Sequence, residues 1–426
     1  MEQVDTVVVG GGQAGVAMSE HLGRLGIDHV VLERDRIAER WRTARWDSLV
    51  ANGPAWHDRF PGMEFPGHQP GDFVPKEAVA DYLEAYAKMV DAPIRCGVDV
   101  KSVRKNESAR GFIVETNGEP IAAHQIVAAT GAFQKPVIPD LIPSDSGVMQ
   151  IHSTGYRNPD QMPEGAVLVI GAGSSGAQIA EELMDAGREV YLSVGPHDRP
   201  PRRYRGRDFC WWLGVLGKWD AQTPGPGTEH VTIAVSGAHG GRTVDFRRFA
   251  ASGMTLLGRS VGYAGGALEI ADDLQKNVAN GDQNLASLLD EADDFVIRNG
   301  LDLPDDPEAR KTWPEPACLS APVRSLNLPD ANIQSVIWAT GFSQDYRWLQ
   351  VDVFDDQGKP EHRRGITEEM GVYFLGLPWQ SRRGSSFLWG VWHDAKFIAD
   401  QIAIQHQYYD HLSAEPAIEP ADTEGA

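Results

Sequence analysis

The stretch that decides the fold is TVVVGGGQAG, residues 6–15. Its first residues form a short β-branched run, which is typical of a buried parallel strand. The glycines of a GxGxxG pattern follow at Gly10, Gly12 and Gly15. In such a turn the first glycine permits a sharp bend, the second lets the backbone approach a pyrophosphate, and the third lets helix and strand pack closely. The stretch therefore predicts a dinucleotide-binding fold with phosphates at a helix N terminus.

The flanking residues complete one strand–helix–strand unit around this turn. We predict a helix over Gln13–Leu25, ended by Gly26, and a second strand over His29–Glu33. Glu33 ends that strand, where an acid can accept hydrogen bonds from a ribose diol and would repel a 2′-phosphate. The first fold is therefore expected to hold FAD or NAD, not NADP.

The same pattern recurs later in the chain as a duplicated supersecondary unit. We predict a strand over Ala166–Gly171, a helix over Ser174–Ala186 ended by Gly187, and a strand over Glu189–Val194. The glycines of the second turn are Gly171, Gly173 and Gly176. Two dinucleotide folds in one chain imply hydride transfer from one cofactor to the other.

Charge indicates which cofactor the second fold holds. Ser193 stands where the first fold has Glu33, and it is followed by arginines, of which Arg199 and Arg202 are the candidate ligands. Guanidinium groups bind phosphate through paired, charge-assisted donors, so the pattern favours the 2′-phosphate of NADPH over NADH. The alternative is that these arginines belong to a basic surface loop or contact the acidic remainder of the chain.

The two units predict an α/β fold with two Rossmann-like dinucleotide-binding domains, the NADPH domain being inserted into the FAD domain. We expect the FAD domain at residues 1–158 and 326–412, the NADPH domain at 159–325, and a disordered acidic tail at 413–426. Further strands are expected at Gln125–Ala129 and Ser335–Ala339, and a helix at Asn284–Val296. The proline-rich segment Pro304–Pro329 is expected to be a linker that returns the chain to the first domain.

Composition narrows the class of protein. The net charge of −21 argues against a nucleic-acid backbone or an anionic lipid as the main partner. The 3 cysteines form no CxxC pair, so we expect no disulfide framework, no metal site and no dithiol reductase. No signal peptide opens the chain, and the longest apolar run, Phe209–Gly217, is too short to span a bilayer. We therefore expect a cytoplasmic protein without a membrane partner.

Further stretches accompany the two glycine turns. They are ATG at residues 129–131, ATGF at 339–342 and GVYFLG at 371–376. In DSGVMQIHSTGY, residues 145–156, His152 and Tyr156 have the spacing found in FxGxxxHxxxY/F, while Asp145 replaces the phenylalanine and the gap before His152 is one residue longer. Together these stretches resemble the class B flavoprotein monooxygenases, the flavin-containing monooxygenases and their bacterial relatives. His152 has a second interpretation, in which it fixes the interdomain linker by hydrogen bonds.

The resemblance implies a set of site residues. Asn52, within WDSLVANGP at residues 46–54, would face the flavin and hold the bound NADP, although Asn52-Gly53 is also a turn signal. The helix start at Ser385–Trp389 would direct its amides at the flavin pyrimidine ring. The expected FAD ligands are Gly10, Gly12, Gln13, Ala14, Gly15, Glu33, Arg34, Arg40, Trp41, Val100, Ala129, Thr130, Gly131, Gly376 and Leu388. The expected NADPH ligands are Gly171, Gly173, Ser174, Ser175, Gly176, Arg199, Arg202, Thr340 and Gly341.

The resemblance also implies a reaction, with a small molecule and O2 as substrates. NADPH would reduce FAD, and the reduced flavin would form a C4a-hydroperoxide that gives one oxygen atom to a nitrogen-, sulfur- or carbonyl-containing compound. Two alternatives remain: an NADPH-dependent flavin reductase or oxidase that acts on a quinone or similar acceptor, and a non-catalytic redox sensor.

An aromatic stretch has several possible roles, which leave both the substrate-binding residues and the oligomeric state undetermined. Its residues are Trp211, Trp212, Leu213 and Trp219. They could form a substrate lid, the contact of a homodimer, or plain core. Core or dimer contact is the more usual role of such residues, because large aromatic side chains mainly serve burial.

Overall fold

The computed structural model describes residues 1–223 and 233–414, whose strands form two large sheets, a three-stranded sheet and two short two-stranded pairs. In chain order the strands are β1 (Glu2–Val9), β2 (His29–Glu33), β3 (Ile94–Cys96), β4 (Val100–Lys105), β5 (Phe112–Thr116), β6 (Ile121–Ala128), β7 (Lys135–Pro136), β8 (Met149–His152), β9 (Ala166–Ile170), β10 (Val190–Ser193), β11 (Arg203–Tyr204), β12 (Arg207–Asp208), β13 (Thr255–Leu257), β14 (Ser260–Ala264), β15 (Ala267–Ile270), β16 (Ser325–Asn327), β17 (Ile333–Trp338), β18 (Phe342–Ser343) and β19 (Val372–Phe374).

Helices cover the faces of both sheets. In chain order they are α1 (Gln13–Arg24), α2 (Glu39–Thr43), α3 (Lys76–Met89), α4 (Ser174–Asp185), α5 (Phe209–Val215), α6 (Ala238–Gly241), α7 (Phe246–Ala251), α8 (Leu274–Asn299), α9 (Ala317–Ser320) and α10 (Leu388–Ala414). Short 3-10 turns lie at Pro159–Gln161, Lys218–Asp220 and Pro307–Arg310.

The first sheet is assembled from both ends of the chain. Its strand order is β3-β2-β1-β6-β5-β4, and the late strand β19 pairs in parallel with β6. β1 lies in parallel between β2 and β6, with Val7 and Val8 fully buried. The C-terminal helix α10 packs on α1, where the rings of His21 and Trp392 lie 4.4 Å apart. We call this unit the first domain.

The second sheet is wholly parallel and belongs to an inserted second domain. Its strand order is β13-β10-β9-β17-β8. β8 precedes the predicted boundary at 158/159, and β17 follows the one at 325/326. Both predicted boundaries are therefore displaced, because β17 pairs with β9 and β8 pairs with β17. The chain crosses between the domains at β7 and β18, which pair antiparallel.

The individual elements agree with the predictions to different degrees. The predicted βαβ units match β1–α1–β2 and β9–α4–β10 to within a few residues. The helix expected at Asn284–Val296 begins ten residues earlier, at Leu274, because Leu274 and Val278 continue its buried face. Pro304–Pro329 is not a plain linker, since it contains α9 and β16, and β16 pairs with β15. The first residues of the predicted tail end α10, and residues 415–426 lie outside the described chain.

The aromatic stretch is mainly core. Trp212 and Trp219 are 1% and 6% exposed, and Leu213 is buried with them. Trp211 is partly exposed and packs edge-on against Trp212. The core interpretation is therefore confirmed for most of this stretch.

Within residues 1–223 and 233–414, no helix is both long enough and apolar enough to cross a membrane. The predicted α/β fold class is confirmed.

Candidate active site

A cleft of about 630 Å³ opens at the carboxyl edge of the first sheet. Such an edge is where open α/β sheets bind nucleotides. The structure gathers around this cleft most of the residues predicted to bind FAD: Gly10, Gly12, Gln13, Ala14, Glu33, Arg34, Arg40, Trp41, Val100, Ala129, Thr130, Gly131 and Gly376. Gly15 and Leu388 do not line it, although Ser386, just before α10, does.

The glycines of the first turn have the backbone conformation and packing that their spacing predicts. Gly10 has φ +113°, and a Cβ there would lie 2.7 Å from the Ala129 carbonyl oxygen. A Cβ on Gly15 would overlap the carbonyl oxygen of Gly10, so this glycine lets α1 pack against β1. A Cβ on Gly12 would meet no atom within 4 Å, so its backbone faces open space at the N terminus of α1.

The acid at the end of β2 supports the turn. One carboxylate oxygen of Glu33 accepts the Gly11 N–H at 2.7 Å, and the other accepts the Asp35 N–H at 2.9 Å. The carboxylate therefore lines the cleft in a fixed orientation. This is the position from which it could also accept a hydrogen bond from a ribose.

Two arginines give the cleft an unbalanced positive charge. Arg40 donates to the Phe133 carbonyl oxygen and its Nε has no partner, while Arg45 donates only to the Ala44 carbonyl oxygen at 3.1 Å. Among the described residues, neither guanidinium has a carboxylate partner. Burial lowers the pKa of Arg45 to about 10, and the nearby charge of Arg40 contributes to this lowering. Unpaired cations beside a helix N terminus fit the pyrophosphate of a dinucleotide.

Arg45 is one of several cleft residues that sequence reasoning missed. It lies one helical turn after Trp41 and packs over the Trp41 ring, a four-residue spacing that could have indicated it. The missed residues Asp345, Arg347 and Trp348 have no comparable signal, because they come from a segment far from both glycine turns. Val98, Asp99 and Lys101 flank the predicted Val100, Phe133 and Gln134 follow the predicted Gly131, and Ser386 lies in the predicted helix start.

Hydrogen bonds join the first turn to the return segment of the chain. Gln13 accepts from the Trp41 indole at 3.2 Å and donates to the Ser386 carbonyl oxygen at 3.3 Å. The floor of the cleft is thus fixed by residues from both ends of the chain.

The second turn repeats the geometry of the first. Gly171 has φ +108°, and a Cβ on Gly176 would overlap the Gly171 carbonyl oxygen. Ala339 stands beside Gly171 as Ala129 stands beside Gly10. Ser174, in the first turn of α4, donates to the Ile233 carbonyl oxygen at 2.7 Å. The second dinucleotide turn is therefore present, with residues after 232 in contact with its helix.

The predicted roles of Arg199 and Arg202 as phosphate ligands are not supported. Arg199 pairs with Asp245 at 3.1 Å and Asp282 at 2.7 Å, and Arg202 forms a forked pair with Asp208 and is 1% exposed. A buried guanidinium needs an anion, and these two obtain theirs within the protein. The alternative interpretation, contacts to the acidic remainder of the chain, describes them correctly.

Asn52 lies between the domains, outside the lining of the cleft. Its Oδ1 accepts from Gln178 of α4 at 2.8 Å, and its carbonyl oxygen accepts from Arg202 at 2.6 Å. It also stands in a bend, where the Gly53 N–H donates to Asp58 at 3.0 Å. The position is compatible with both interpretations of Asn52, since a residue of this bend faces the second domain.

His152 holds the crossing segments together. Its Nε2 lies 3.0 Å from the Gly341 carbonyl oxygen and its Nδ1 lies 3.1 Å from Thr154 Oγ1. Burial lowers the pKa of this imidazole. Tyr156 donates to Glu182 of α4 at 2.8 Å, and Thr340 donates to the Val137 carbonyl oxygen at 2.5 Å. These bonds agree with the linker-fixing interpretation of His152.

One group of possible metal ligands exists among the described residues, away from the cleft. It consists of Glu181, Asp185 and His239. Glu181 is already paired with Arg242 at 2.9 Å and Arg248 at 2.6 Å, so its charge is compensated without a metal.

Comparisons with known proteins agree with this geometry. The family model described as pyridine nucleotide-disulphide oxidoreductase matches residues 7–205. An uncharacterized CzcO-like oxidoreductase of Geobacillus kaustophilus is 35% identical over 403 residues, covering 94% of this chain and 98% of the relative. The indole-3-pyruvate monooxygenase YUCCA6 of Arabidopsis thaliana is 28% identical, covering 93% of this chain and 89% of that protein.

The fold is shared with a solved monooxygenase. The structure of the flavin-containing monooxygenase from Stenotrophomonas maltophilia has a TM-score of 0.65 at 20% identity. The similarity covers 95% of this chain and 100% of that one. The full-length relative at 35% identity shows that the chain belongs to the family of CzcO-like oxidoreductases, with the fold of a flavin-containing monooxygenase.

Proposed function

We propose that this protein is an NADPH-driven, FAD-dependent monooxygenase that transfers one oxygen atom from O2 to a small nitrogen-, sulfur- or carbonyl-containing molecule. The observation that carries the proposal is the bridge between the two dinucleotide-binding domains. Asn52 belongs to the first domain, and its amide is held by Gln178 in the helix that opens at the second turn. A polar side chain of the first domain is thus oriented by the second.

The cleft fits FAD on three observations. The backbone at Gly12 is open, the N terminus of α1 faces the cleft, and Arg40 and Arg45 have no counter-charge among the described residues. In this arrangement the two arginines would hold the pyrophosphate, and Glu33 would accept hydrogen bonds from the adenosine ribose. When bound, FAD supplies the electron transfer from NADPH to dioxygen.

The chain's own contribution would come from Asn52. Its Oδ1 is occupied by Gln178, while its Nδ2 makes no hydrogen bond to the described residues. An amide anchored through its oxygen presents a donor in one direction, which suits a group that holds nicotinamide and shields the reacting atoms from water. The monooxygenase names of the YUCCA6 relative and the Stenotrophomonas structure support the same assignment.

A reductase or oxidase that acts on a quinone is the second candidate. It is favoured by the position of Asn52 outside the lining of the cleft. Reduction of a disulfide, which the name of the matched family suggests, would need a cysteine pair. Of the three cysteines, Cys96 is exposed, Cys210 is buried and Cys318 is half-buried, and none lines the cleft.

The test measures whether the electrons of NADPH end in an oxygenated product or in hydrogen peroxide. The purified holoprotein would be supplied with NADPH, O2 and a panel of amines, sulfides and ketones, and NADPH use, peroxide and oxygenated product would be measured together. We expect one compound class to convert most of the NADPH into oxygenated product. If every compound leaves all the NADPH electrons in peroxide, oxygen insertion is excluded for this panel and the oxidase assignment replaces it.

A further inference from the structure

Behind the Asn52–Gly53 bend lies a largely buried pair of titratable residues, His57 and Asp58. Asp58 accepts the Gly53 N–H at 3.0 Å through one carboxylate oxygen. A Cβ on Gly53 would overlap this carboxylate, so the backbone of the bend packs directly on Asp58. The orientation of Asp58 therefore determines where the bend lies.

His57 fixes the other oxygen of that carboxylate. Its Nδ1 lies 2.7 Å from Asp58 Oδ1, and because a carboxylate only accepts, Nδ1 carries the proton. The imidazole is 6% exposed, and its Nε2 has no hydrogen-bond partner among the described residues. Leaving a buried polar atom unpaired costs free energy that an apolar ring in the same place would not lose. What histidine adds here over phenylalanine is the Nδ1 hydrogen bond.

The imidazole is held from both domains. It stacks on Trp219 at 5.2 Å and 27°, and on Trp389 of α10 at 5.4 Å and 26°. Trp219 belongs to the second domain and Trp389 to the return segment of the first. Backbone hydrogen bonds join their neighbourhoods, from Gly384 to the Trp219 carbonyl oxygen at 3.2 Å and from Arg383 to the Ala221 carbonyl oxygen at 2.9 Å.

We propose that His57 and Asp58 are positioning residues for Asn52. His57 fixes Asp58, Asp58 fixes the Gly53 amide, and the bend then presents the Nδ2 of Asn52 in one direction. The inference rests on the proposed function for its catalytic consequence, but the order of the bend can be measured without any reaction.

Three substitutions separate the hydrogen bond from packing. His57→Phe keeps a ring between the tryptophans and loses the donor. His57→Asn keeps a donor near the Nδ1 position and loses the ring. Asp58→Leu has a similar volume and no acceptor, so both His57 and Gly53 lose their partner. Asn52→Ala serves as the reference for loss of the side chain that is being positioned.

The first readout is hydrogen–deuterium exchange of the Gly53 amide in the FAD-loaded proteins. We expect about tenfold faster exchange in His57→Phe and Asp58→Leu, because each removes a hydrogen bond from the chain that holds this amide. His57→Asn should exchange like the wild type. The second readout is the share of NADPH electrons released as peroxide, which should rise about threefold in the two loosened variants and in Asn52→Ala, because misplaced catalytic groups lose efficiency.

The outcomes decide whether His57 positions the bend or only fills space between the tryptophans. Wild-type exchange in His57→Phe with fast exchange in His57→Asn would mean that the histidine only packs, and would overturn the proposal. Fast Gly53 exchange with an unchanged peroxide share would also overturn it, since the bend would not bear on the reaction. If the wild type itself makes only peroxide, the proposed function fails, while the exchange data still decide whether the pair orders the bend. Retained FAD content in Asp58→Leu shows that the protein remains folded.

Discussion

At the scale of single residues, a dinucleotide turn makes two distinct demands on its glycines. Gly15 has no room for a side chain, because a Cβ there would overlap the Gly10 carbonyl oxygen. Gly12 has room, and that room faces the cleft. One glycine therefore serves the packing of the helix and the other serves the approach of a ligand.

Alanine at each position is predicted to separate these demands. Gly15→Ala should lower the free energy of unfolding by about 1–3 kcal/mol, the usual cost of forcing atoms into a packed site. Gly12→Ala should leave the thermal midpoint of the apoprotein unchanged and reduce the FAD content of the purified protein. Gly71→Ala is the control, because its Cβ would meet no atom within 4 Å and it lies away from the cleft. Normal FAD content in Gly12→Ala would contradict the assigned role.

Arg45 is predicted to contribute to FAD binding and not to the stability of the apoprotein. It is a half-buried cation without a carboxylate partner among the described residues, and burial lowers its pKa to about 10. Arg45→Met should weaken FAD binding about tenfold, the value of a charge-assisted hydrogen bond, and should not destabilise the apoprotein. Both quantities are measured by flavin fluorescence titration and by thermal unfolding of the apoprotein.

The matched control lies on the neighbouring helix. Arg42 in α2 is paired with Asp81 at 2.9 Å and Glu84 at 3.1 Å, so Arg42→Met removes a cation that is already neutralised. We expect no change in FAD affinity from it. Equal losses of affinity in both variants would show that only the overall charge of the surface is involved.

At the scale of elements, the arginines after β10 show why a charge pattern can mislead. The sequence places Arg199 where a 2′-phosphate would be, but it does not show that α7 and α8 bring Asp245 and Asp282 to the same place. The glycine turns could be predicted because their geometry depends on neighbours within a few residues. The partners of a guanidinium come from distant elements, and only the fold identifies them.

Arg199→Met is therefore predicted to change stability and not cofactor choice. The ratio of kcat/KM for NADPH to that for NADH should stay within about twofold of the wild type, because a guanidinium occupied by two carboxylates adds little to phosphate binding. The free energy of unfolding should fall by about 3 kcal/mol, since Asp245 loses its cation while Asp282 keeps Arg247. A selective loss of NADPH activity would restore the original interpretation. Steady-state kinetics with both nucleotides and urea unfolding provide the two measurements.

The contact between α1 and α10 is predicted to be sensitive to acid. Burial lowers the pKa of His21 from 6.5 to about 4, while the imidazole lies 3.1 Å from the Trp392 carbonyl oxygen. Between these pH values the unfolded chain binds a proton that the folded protein does not. The stability from neutral His21 is thus complete above pH 6.5 and is lost as the pH falls towards 4.

His21→Gln keeps a donor to that carbonyl and does not titrate. Between pH 7 and pH 4.5 it should lose less stability than the wild type, by up to about 3 kcal/mol. Urea unfolding at several pH values measures the difference. Parallel pH profiles in the two proteins would show that His21 does not carry the acid sensitivity.

At the scale of the whole molecule, the duplication could be predicted from the sequence and the domain limits could not. Each βαβ unit has its own glycine pattern and periodicity, which are local. Membership of β8 and β17 in the second sheet depends on pairing between strands separated by most of the inserted domain. No local pattern distinguishes Ile333–Trp338 from a strand of the first sheet, so the predicted boundary at 325/326 fell too early.

The two domains meet on α4, and this contact offers the last prediction. Gln178 donates to Asn52 at 2.8 Å and to the Val235 carbonyl oxygen at 2.7 Å, while Glu182, one turn later, accepts from Ser48 at 2.6 Å. Both bonds cross between the domains on one helix, but only the first orients the residue that we propose as catalytic. Removing each of these two hydrogen bonds in turn therefore separates the effect of interdomain contact in general from the effect of orienting Asn52.

Gln178→Leu should raise the share of NADPH electrons released as peroxide several-fold, because Asn52 loses the hydrogen bond that fixes its amide. FAD content should not change, since Gln178 lies outside the cleft. Ser48→Ala removes an interdomain hydrogen bond of similar length and should leave the peroxide share as in the wild type. Peroxide assays under saturating NADPH compare the two. Equal uncoupling in both variants would mean that the fit of the domains as a whole, and not the direction of one amide, controls the fate of the electrons.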